Sequence, residues 1–221
     1  VVEAREAGVT DCFLDSGAFT AFTKGVEIDP KIYAQYIAQY KDLFTVCSSL
    51  DAIGDPAKSY ALLKELEDLG ATVSPVYHAR EDILWLEKYL EEGYPYIFIG
   101  GMVPETTQWL KVWLDDLFAG PLCNDDGTAV CKLHGFGLTD QQLMFRYPWH
   151  SVDSTSWLFT GACGGCLFYR NKKATKVVFS HDSPSAKKLN APHYSNLSAI
   201  ERRHIDVWLE EMVVTAEQCA E

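Results

Sequence analysis

With 221 residues, 48% of them hydrophobic and 13% aromatic, the chain carries enough apolar material for one substantial core and is too hydrophobic for a disordered segment. Its formal net charge of −12 excludes a generally basic nucleic-acid binder. No apolar run reaches the roughly eighteen residues a membrane helix needs, and no signal-peptide pattern opens the chain, so no membrane partner is expected.

The opening VVEAREAG begins without Met and reads as the end of a helix, so a further strand is expected upstream of Val1. DCFLD (11–15) then precedes the helical PKIYAQYIAQYKDLF (30–44), where Ile32, Tyr36, Ile37 and Tyr40 share one predicted face. TVCSSLDA (45–52) is followed by a helix opened by Asp-Pro and stopped at Gly70. TVSPVYH (72–78), YIFIGGM (96–102) and AVCKLHGFG (129–137) each precede a further helical pattern, the last with Thr139 as its expected N-cap. SVDSTSW (151–157) closes the series. Apolar strands alternating with helices predict a parallel sheet covered by helices. No glycine-rich dinucleotide turn follows the first strand, which argues against a doubly wound sheet. The expected fold is therefore α/β, an irregular TIM-like (β/α)8 barrel, with residues 1–221 as a single domain.

After Asp153 the pattern changes. GGCLFYRNKKATKVVFS (164–180) predicts a β-hairpin turning at 170–173, the core of a basic insertion spanning 164–194. SNLSAIERRHIDVWLEEMVV (195–214) predicts a closing amphipathic helix capped by Ser195 or Ser198, with Ile200, Ile205, Val207 and Trp208 inward. Charge is uneven: residues 1–150 carry the whole excess of −12, whereas 165–203 hold eight basic residues and two acidic ones. That stretch, with Arg170, Lys172, Lys173 and Lys176, is either solvated surface or a phosphate-contacting edge. Seven scattered cysteines, with Cys12, Cys47 and Cys131 in strand-like runs, predict reduced thiols in a cytoplasmic protein.

Barrels of this type build their sites at the C-terminal ends of the strands. Those ends read Asp15-Ser16-Gly17, Asp51, Tyr77-His78, Gly100-Gly101, His134-Gly135 and Asp153. Each alone is ordinary turn or capping sequence; six in succession point to a site. Two aspartates with no lysine and no hydroxyl–histidine pair beside them suit chemistry at an acetal-like carbon. One carboxylate attacks the anomeric centre and forms a glycosyl ester, and the other moves protons. The glycine pairs let a flat ring lie against backbone, and Phe19, four residues after Asp15, offers a stacking face.

DSGAF (15–19), LDAIGDP (50–56), FIGGM (98–102), HGFG (134–137) and SVDSTSW (151–157) resemble, in order and spacing, the motifs of tRNA-guanine transglycosylases. More closely they resemble the phage and bacterial relatives that insert 7-deazaguanine bases into DNA. The resemblance implies a base exchange in which Asp153 is the nucleophile at C1′ and Asp15 contacts the base and handles its proton. It implies that Asp51 reads the guanine-like edge, that Gly100 and Gly101 contact the heterocycle through backbone, and that Phe19 stacks. Ser16 and Gly135 fall inside the same motifs and join the substrate-binding set. His134 stands where the tRNA enzymes have another pocket residue, and either Tyr77 or His78 replaces their base-reading glutamine. The implied partners are DNA, or tRNA, and a free 7-deazapurine such as preQ0, with a homodimer or a partner subunit as the assembly, in a bacterial or phage-infected cell.

One departure concerns metal. The tRNA enzymes hold structural zinc through a Cys-x-Cys-x-x-Cys run and a later histidine, and the corresponding stretch here contains no cysteine. With the short segment after Asp153, this favours DNA over tRNA. No cofactor is expected; the alternative is a Cys₂His₂ zinc on Cys163, Cys166, His181 and His193. Two rival functions remain: a non-catalytic partner subunit, disfavoured by the presence of Asp153, and an unrelated barrel lyase or hydrolase, which would need a metal-ligand set or a catalytic lysine at the strand ends.

Overall fold

The computed structural model describes residues 12–103, 105–170, 173–183 and 193–212, with residues 6, 8 and 216. It is a mixed α/β structure with parallel strands and, among the described residues, eight α-helices. The chain divides into two compact units, Val1–Asp153 and Ser154–Glu221, where the sequence suggested one domain.

The first unit runs β1 (Cys12–Leu14), α1 (Ala18–Lys24), α2 (Pro30–Gln39), β2 (Phe44–Cys47), α3 (Pro56–Asp68), β3 (Val76–His78), α4 (Ile83–Glu91), β4 (Tyr96–Gly100), α5 (Thr107–Ala119), β5 (Lys132–Gly135), α6 (Gln141–Arg146) and β6 (Ser151–Val152). β1 pairs with β2, and β3 to β6 pair in chain order, all in parallel. A bridge between Ser48 and Ser74 connects the two sets: Ser49 donates its N–H to the Ser74 carbonyl at 2.8 Å, and Ser74 donates to the Cys47 carbonyl at 2.9 Å.

Side chains alternate between the faces of these strands with period two. Leu14, Cys47, Tyr77, Ile97, Ile99, Leu133 and Val152 pack into one core with Ile37, Leu63, Leu66, Leu86, Leu110 and Leu114 of the helices. The other face packs strand on strand: Val76, Tyr96 and Phe98 with Val46 and Phe136. Phe13 of β1 lies 4.7 Å, centroid to centroid, from His134 of β5 and 6.1 Å from Phe98 of β4. Strands four places apart in a flat sheet would stand about 19 Å apart, so the row of strands is curved.

Short polar side chains start the helices as the cap chemistry requires: Asp29, Asp55, Asp82 and Thr106 each accept a first-turn backbone N–H. At α6 the cap is Asp140, which accepts from Gln142 and Leu143, and not Thr139. The predicted face of α2 is also corrected. Tyr33, Ala34 and Ile37 are buried, whereas Ile32 is 65% exposed, because the curved strand row meets the helix one position further round. α1 and α7 (Ser156–Ala162) were not expected; both are seven residues long, too short to show a helical period.

The second unit contains α7, then β7 (Gly165–Arg170) and β8 (Lys173–Val178), an antiparallel hairpin in register from Gly165↔Val178 to Arg170↔Lys173, as the sequence predicted. α8 (Ala199–Glu211) starts at Ser198 with a complete capping box to Glu201. Ile205 and Leu209 join Phe168, Val177 and Phe179 in this unit's core. Ile200 and Val207, expected inward, are 72% and 45% exposed, leaving Leu209 to complete the buried stripe. Among the described residues no helix is long and apolar enough to cross a membrane.

The face assigned to α2 is directly testable. Ile37→Ala should destabilise the protein by about 2–5 kcal/mol, because it leaves a cavity in the core. Ile32→Ala should change stability by no more than about 0.5 kcal/mol. Urea unfolding of both variants checks this; equal losses would refute the assignment.

Candidate active site

The strand runs read from sequence are longer than the strands themselves, and their tails form the loops that carry the candidate site residues. The face that packs strand on strand contains Phe13, Val76, Phe98 and Ser151, and two residues on from each stand Asp15, His78, Gly100 and Asp153. These groups therefore leave the strands at the same, C-terminal, end.

Asp15 is exposed, and its Oδ1 accepts the Gly17 N–H at 3.0 Å, a turn that α1 then continues. Ser16 is buried and donates its N–H to Ser48 Oγ at 2.9 Å, so it positions the loop from within. Tyr33 donates its phenol to the Ser48 carbonyl at 2.9 Å. Burial, and then the neighbouring Cys47, Asp15 and Asp51, hold that phenol well above its usual range.

Asp51 does not stand alone. Its Oδ2 lies 3.0 Å from His78 Nε2, while His78 Nδ1 lies 3.3 Å from Glu81 Oε1, all three side chains being nearly buried. Glu81 Oε2 also accepts the His78 backbone N–H at 3.0 Å. Burial opposes the charge on this imidazole, but the hydrogen bonds and charges of Asp51 and Glu81 outweigh it and raise the His78 pKa to about 9. Glu81 was missed in the sequence because HARED reads as the acidic first turn of a helix; only the loop folding back under β3 brings it beneath the ring. Tyr77, the alternative to His78, lies on the opposite face. It is 1% exposed, donates its phenol to the Glu81 carbonyl and packs near Trp113.

Gly100 is where the His78 ring needs room: an added Cβ would lie 2.7 Å from His78 Cδ2. Its carbonyl accepts the Ala79 N–H at 3.0 Å, so this glycine serves the protein's own imidazole. Gly101 has φ +71°, which favours glycine, and its missing Cβ keeps clear of the Ala79 backbone. Gly135 faces Met102, Val152 and Leu138, and its carbonyl accepts the Asp153 N–H at 3.2 Å. It aligns β6 and lies on the helix-facing side. Phe19 is 65% exposed on α1.

Asp153 is half-buried at the end of β6, and its Oδ1 accepts the Gly137 N–H at 2.6 Å. His134 Nε2 lies 3.6 Å from the same oxygen, too far for a formed hydrogen bond but close enough for electrostatic attraction. Burial raises the Asp153 pKa, and the opposing effects of His134 and the Gly137 N–H outweigh it, so the net shift is downward and the group stays ionised. His134 itself is fully buried among Phe13, Phe98 and Phe136, so it meets Asp153 from behind and does not line a pocket open to a base. Because Phe13 touches His134, the strand that carries Asp15 lies against the residue that faces Asp153.

In the hairpin, Lys172 lies outside the described residues, as do the side chains of Arg170 and Lys173; Lys176 is half-buried. Cys163, Cys166, His181 and His193, the Cys₂His₂ alternative for zinc, are not assembled as one ligand group among the described residues. Among the described residues no three His, Cys, Asp or Glu side chains are grouped to hold a metal ion. His193 instead places Nδ1 2.7 Å from Ser195 Oγ and packs its ring 4.3 Å from that of His181.

The His78 pKa lies above the 6.5 of an unperturbed histidine, so the stabilisation from its two carboxylates is complete below pH 6.5 and is lost as pH rises through about 9. Unfolding free energies should fall over that window by on the order of 3 kcal/mol. The decline should be absent in His78→Gln; denaturant titrations of both proteins between pH 6 and 10 measure it.

Comparison of the chain with family models, with curated proteins and with solved structures gives no match in any of the three.

Proposed function

We propose that this chain is a base-exchange transglycosylase that replaces guanine in DNA by a 7-deazaguanine derivative, such as preQ0, through a covalent aspartyl–glycosyl intermediate on Asp153. The observation that carries the reading is the Asp153 carboxylate. It is held ionised at a strand end, one oxygen taken by the Gly137 N–H and the other left for attack. The scaffold proposed is a (β/α)8-type barrel, of which β1 to β6 are six consecutive strands; the approach of Phe13 on β1 to His134 on β5 supports that closure.

In the reaction, an Asp153 oxygen forms a bond to C1′ of the target nucleotide. The C1′–N bond to guanine breaks, its electron pair leaving with the base, which takes up a proton from solvent. The incoming base gives its ring N–H proton to Asp15, which is exposed and passes it to solvent; the base nitrogen bonds to C1′, and the ester breaks to return the Asp153 carboxylate. Each bond lost is matched by one gained, so the exchange needs no redox or nucleotide cofactor. Asp51 reads the N–H donors of the base edge with its Oδ1, Oδ2 being held by His78, and Gly101 supplies backbone beside the ring. A target base in duplex DNA must leave the stack, at a cost of a few kcal/mol. Arg170, Lys172, Lys173 and Lys176 are the residues proposed to meet phosphates.

The exchange assay decides. Incubated with guanine-containing DNA and labelled guanine or preQ0, the protein should transfer label into the polymer, and Asp153→Ala should reduce transfer by at least about a thousandfold, as expected for a lost nucleophile. Full exchange by Asp153→Ala would overturn the assignment. Label entering tRNA and not DNA would move the substrate to tRNA. Binding of DNA or base without any exchange would identify a non-catalytic subunit.

A further inference from the structure

Behind Asp153 runs a line of polar groups, Tyr96 and His134 buried and Ser151 half-buried between them, that the exchange chemistry does not itself require. Tyr96 of β4 places its hydroxyl 2.8 Å from Ser151 Oγ, and Ser151 Oγ lies 2.8 Å from His134 Nδ1. Among the described residues His134 Nε2 has no hydrogen-bond partner, and it stands 3.6 Å from Asp153 Oδ1. Phe13, Phe98 and Phe136 surround the imidazole with ring centroids at 4.7, 5.3 and 5.0 Å, which seals it from water. An orphaned ring nitrogen in such a cage is costly unless it is aimed at something.

The direction of the line follows from what each atom can give. An ionised carboxylate only accepts, so the ring nitrogen facing Asp153 carries a hydrogen. With one ring proton on Nε2, Nδ1 is an acceptor and must receive the Ser151 hydroxyl hydrogen; Ser151 then accepts from the Tyr96 phenol. Every donor is used once, and the remaining N–H points at the carboxylate.

We infer that Tyr96, Ser151 and His134 form a positioning line that fixes the His134 tautomer, presents its Nε2–H to Oδ1 of Asp153 and so makes Oδ2 the attacking oxygen. What Oδ2 attacks rests on the transglycosylase reading; the coupling to Asp153 does not. When Oδ2 bonds to C1′, Oδ1 becomes the ester carbonyl oxygen and keeps both donors, the Gly137 N–H and the His134 N–H. As the second base attacks, the C1′–Oδ2 bond breaks and its electron pair returns to the carboxylate, whose charge the same two donors stabilise. His134 and the Gly137 N–H face Asp153, Ser151 and the three phenylalanines face His134, and the His150 ring stands edge-on to Tyr96 at 5.6 Å.

Two readouts on the full chain test the inference separately from the reaction. Carbon-13 carboxyl NMR follows the titration of Asp153, and nitrogen-15 imidazole shifts report the His134 tautomer; neither needs activity. The wild type should show the proton on Nε2. His134→Asn, which removes the atom facing Asp153, should move the Asp153 titration upward by roughly one pH unit, and His134→Gln, which restores an N–H there, should bring it back. Ser151→Ala and Tyr96→Phe are milder changes that decide the matter if the His134 variants do not fold. Ser151→Ala should release the tautomer, and Tyr96→Phe should act in the same direction more weakly. In exchange assays His134→Asn should lower kcat by about ten- to a hundredfold, as for a lost hydrogen bond to a charged group, with KM for the free base unchanged and the acidic limb of the pH–rate profile shifted upward. A wild-type proton on Nδ1, or an Asp153 titration that ignores Ser151→Ala and His134→Asn alike, overturns the inference. Coupling seen by NMR in a protein that exchanges no base would sink the transglycosylase reading and leave the positioning line standing.

Discussion

The alternation of side chains along short parallel strands is the constraint from which the rest of the first unit follows. On one parity the strands bury Leu14, Cys47, Tyr77, Ile97 and Leu133 against helices. On the other they pack Val76, Phe98 and His134, which are buried, with the partly covered Phe13 and Ser151. A residue two positions beyond the last buried one keeps its parity but has passed the end of the packed layer. Asp15, His78, Gly100 and Asp153 occupy those positions, so the packing that orders the inner layer also aims the polar groups.

The site so formed contains two differently built carboxylate environments. Asp51 is tied to a histidine clamped from the other side by Glu81, a buried three-part network in which a cation lies between two anions. Such a network stabilises only while all three members remain, because loss of one leaves an uncompensated charge in the interior. Asp153 is instead held lightly, by one backbone N–H and by a ring that stops short of hydrogen bonding. The first arrangement suits a rigid wall for recognising an edge, and the second suits a group that must form and release a covalent bond.

Glycine has two uses in this site. At Gly100 the absent side chain makes room for the His78 imidazole, so the residue is a packing requirement of the Asp51–His78–Glu81 network. At Gly101 and Gly137 the backbone adopts positive φ, and at Gly137 that conformation accompanies the N–H bound to Asp153 Oδ1. A reading that assigns all such glycines to ligand contact misplaces Gly100 and Gly135, whose neighbours are protein atoms.

By itself the amino-acid order determined the parallel strand–helix alternation, the two strands of the hairpin, the Asp and Ser caps, and the strand ends as the place where charged groups gather. These depend on local periodicity and on the conformational preferences of a few residues, which neighbours in the chain reveal. Tertiary structure alone decided which of Tyr77 and His78 faces the site, that Glu81 completes a network with Asp51, that Ile32 faces outward on α2, and that His134 stands behind Asp153 in a cage of phenylalanines. Each depends on how the strand row curves and on which side chains from distant segments compete for one volume, and no local pattern encodes that competition.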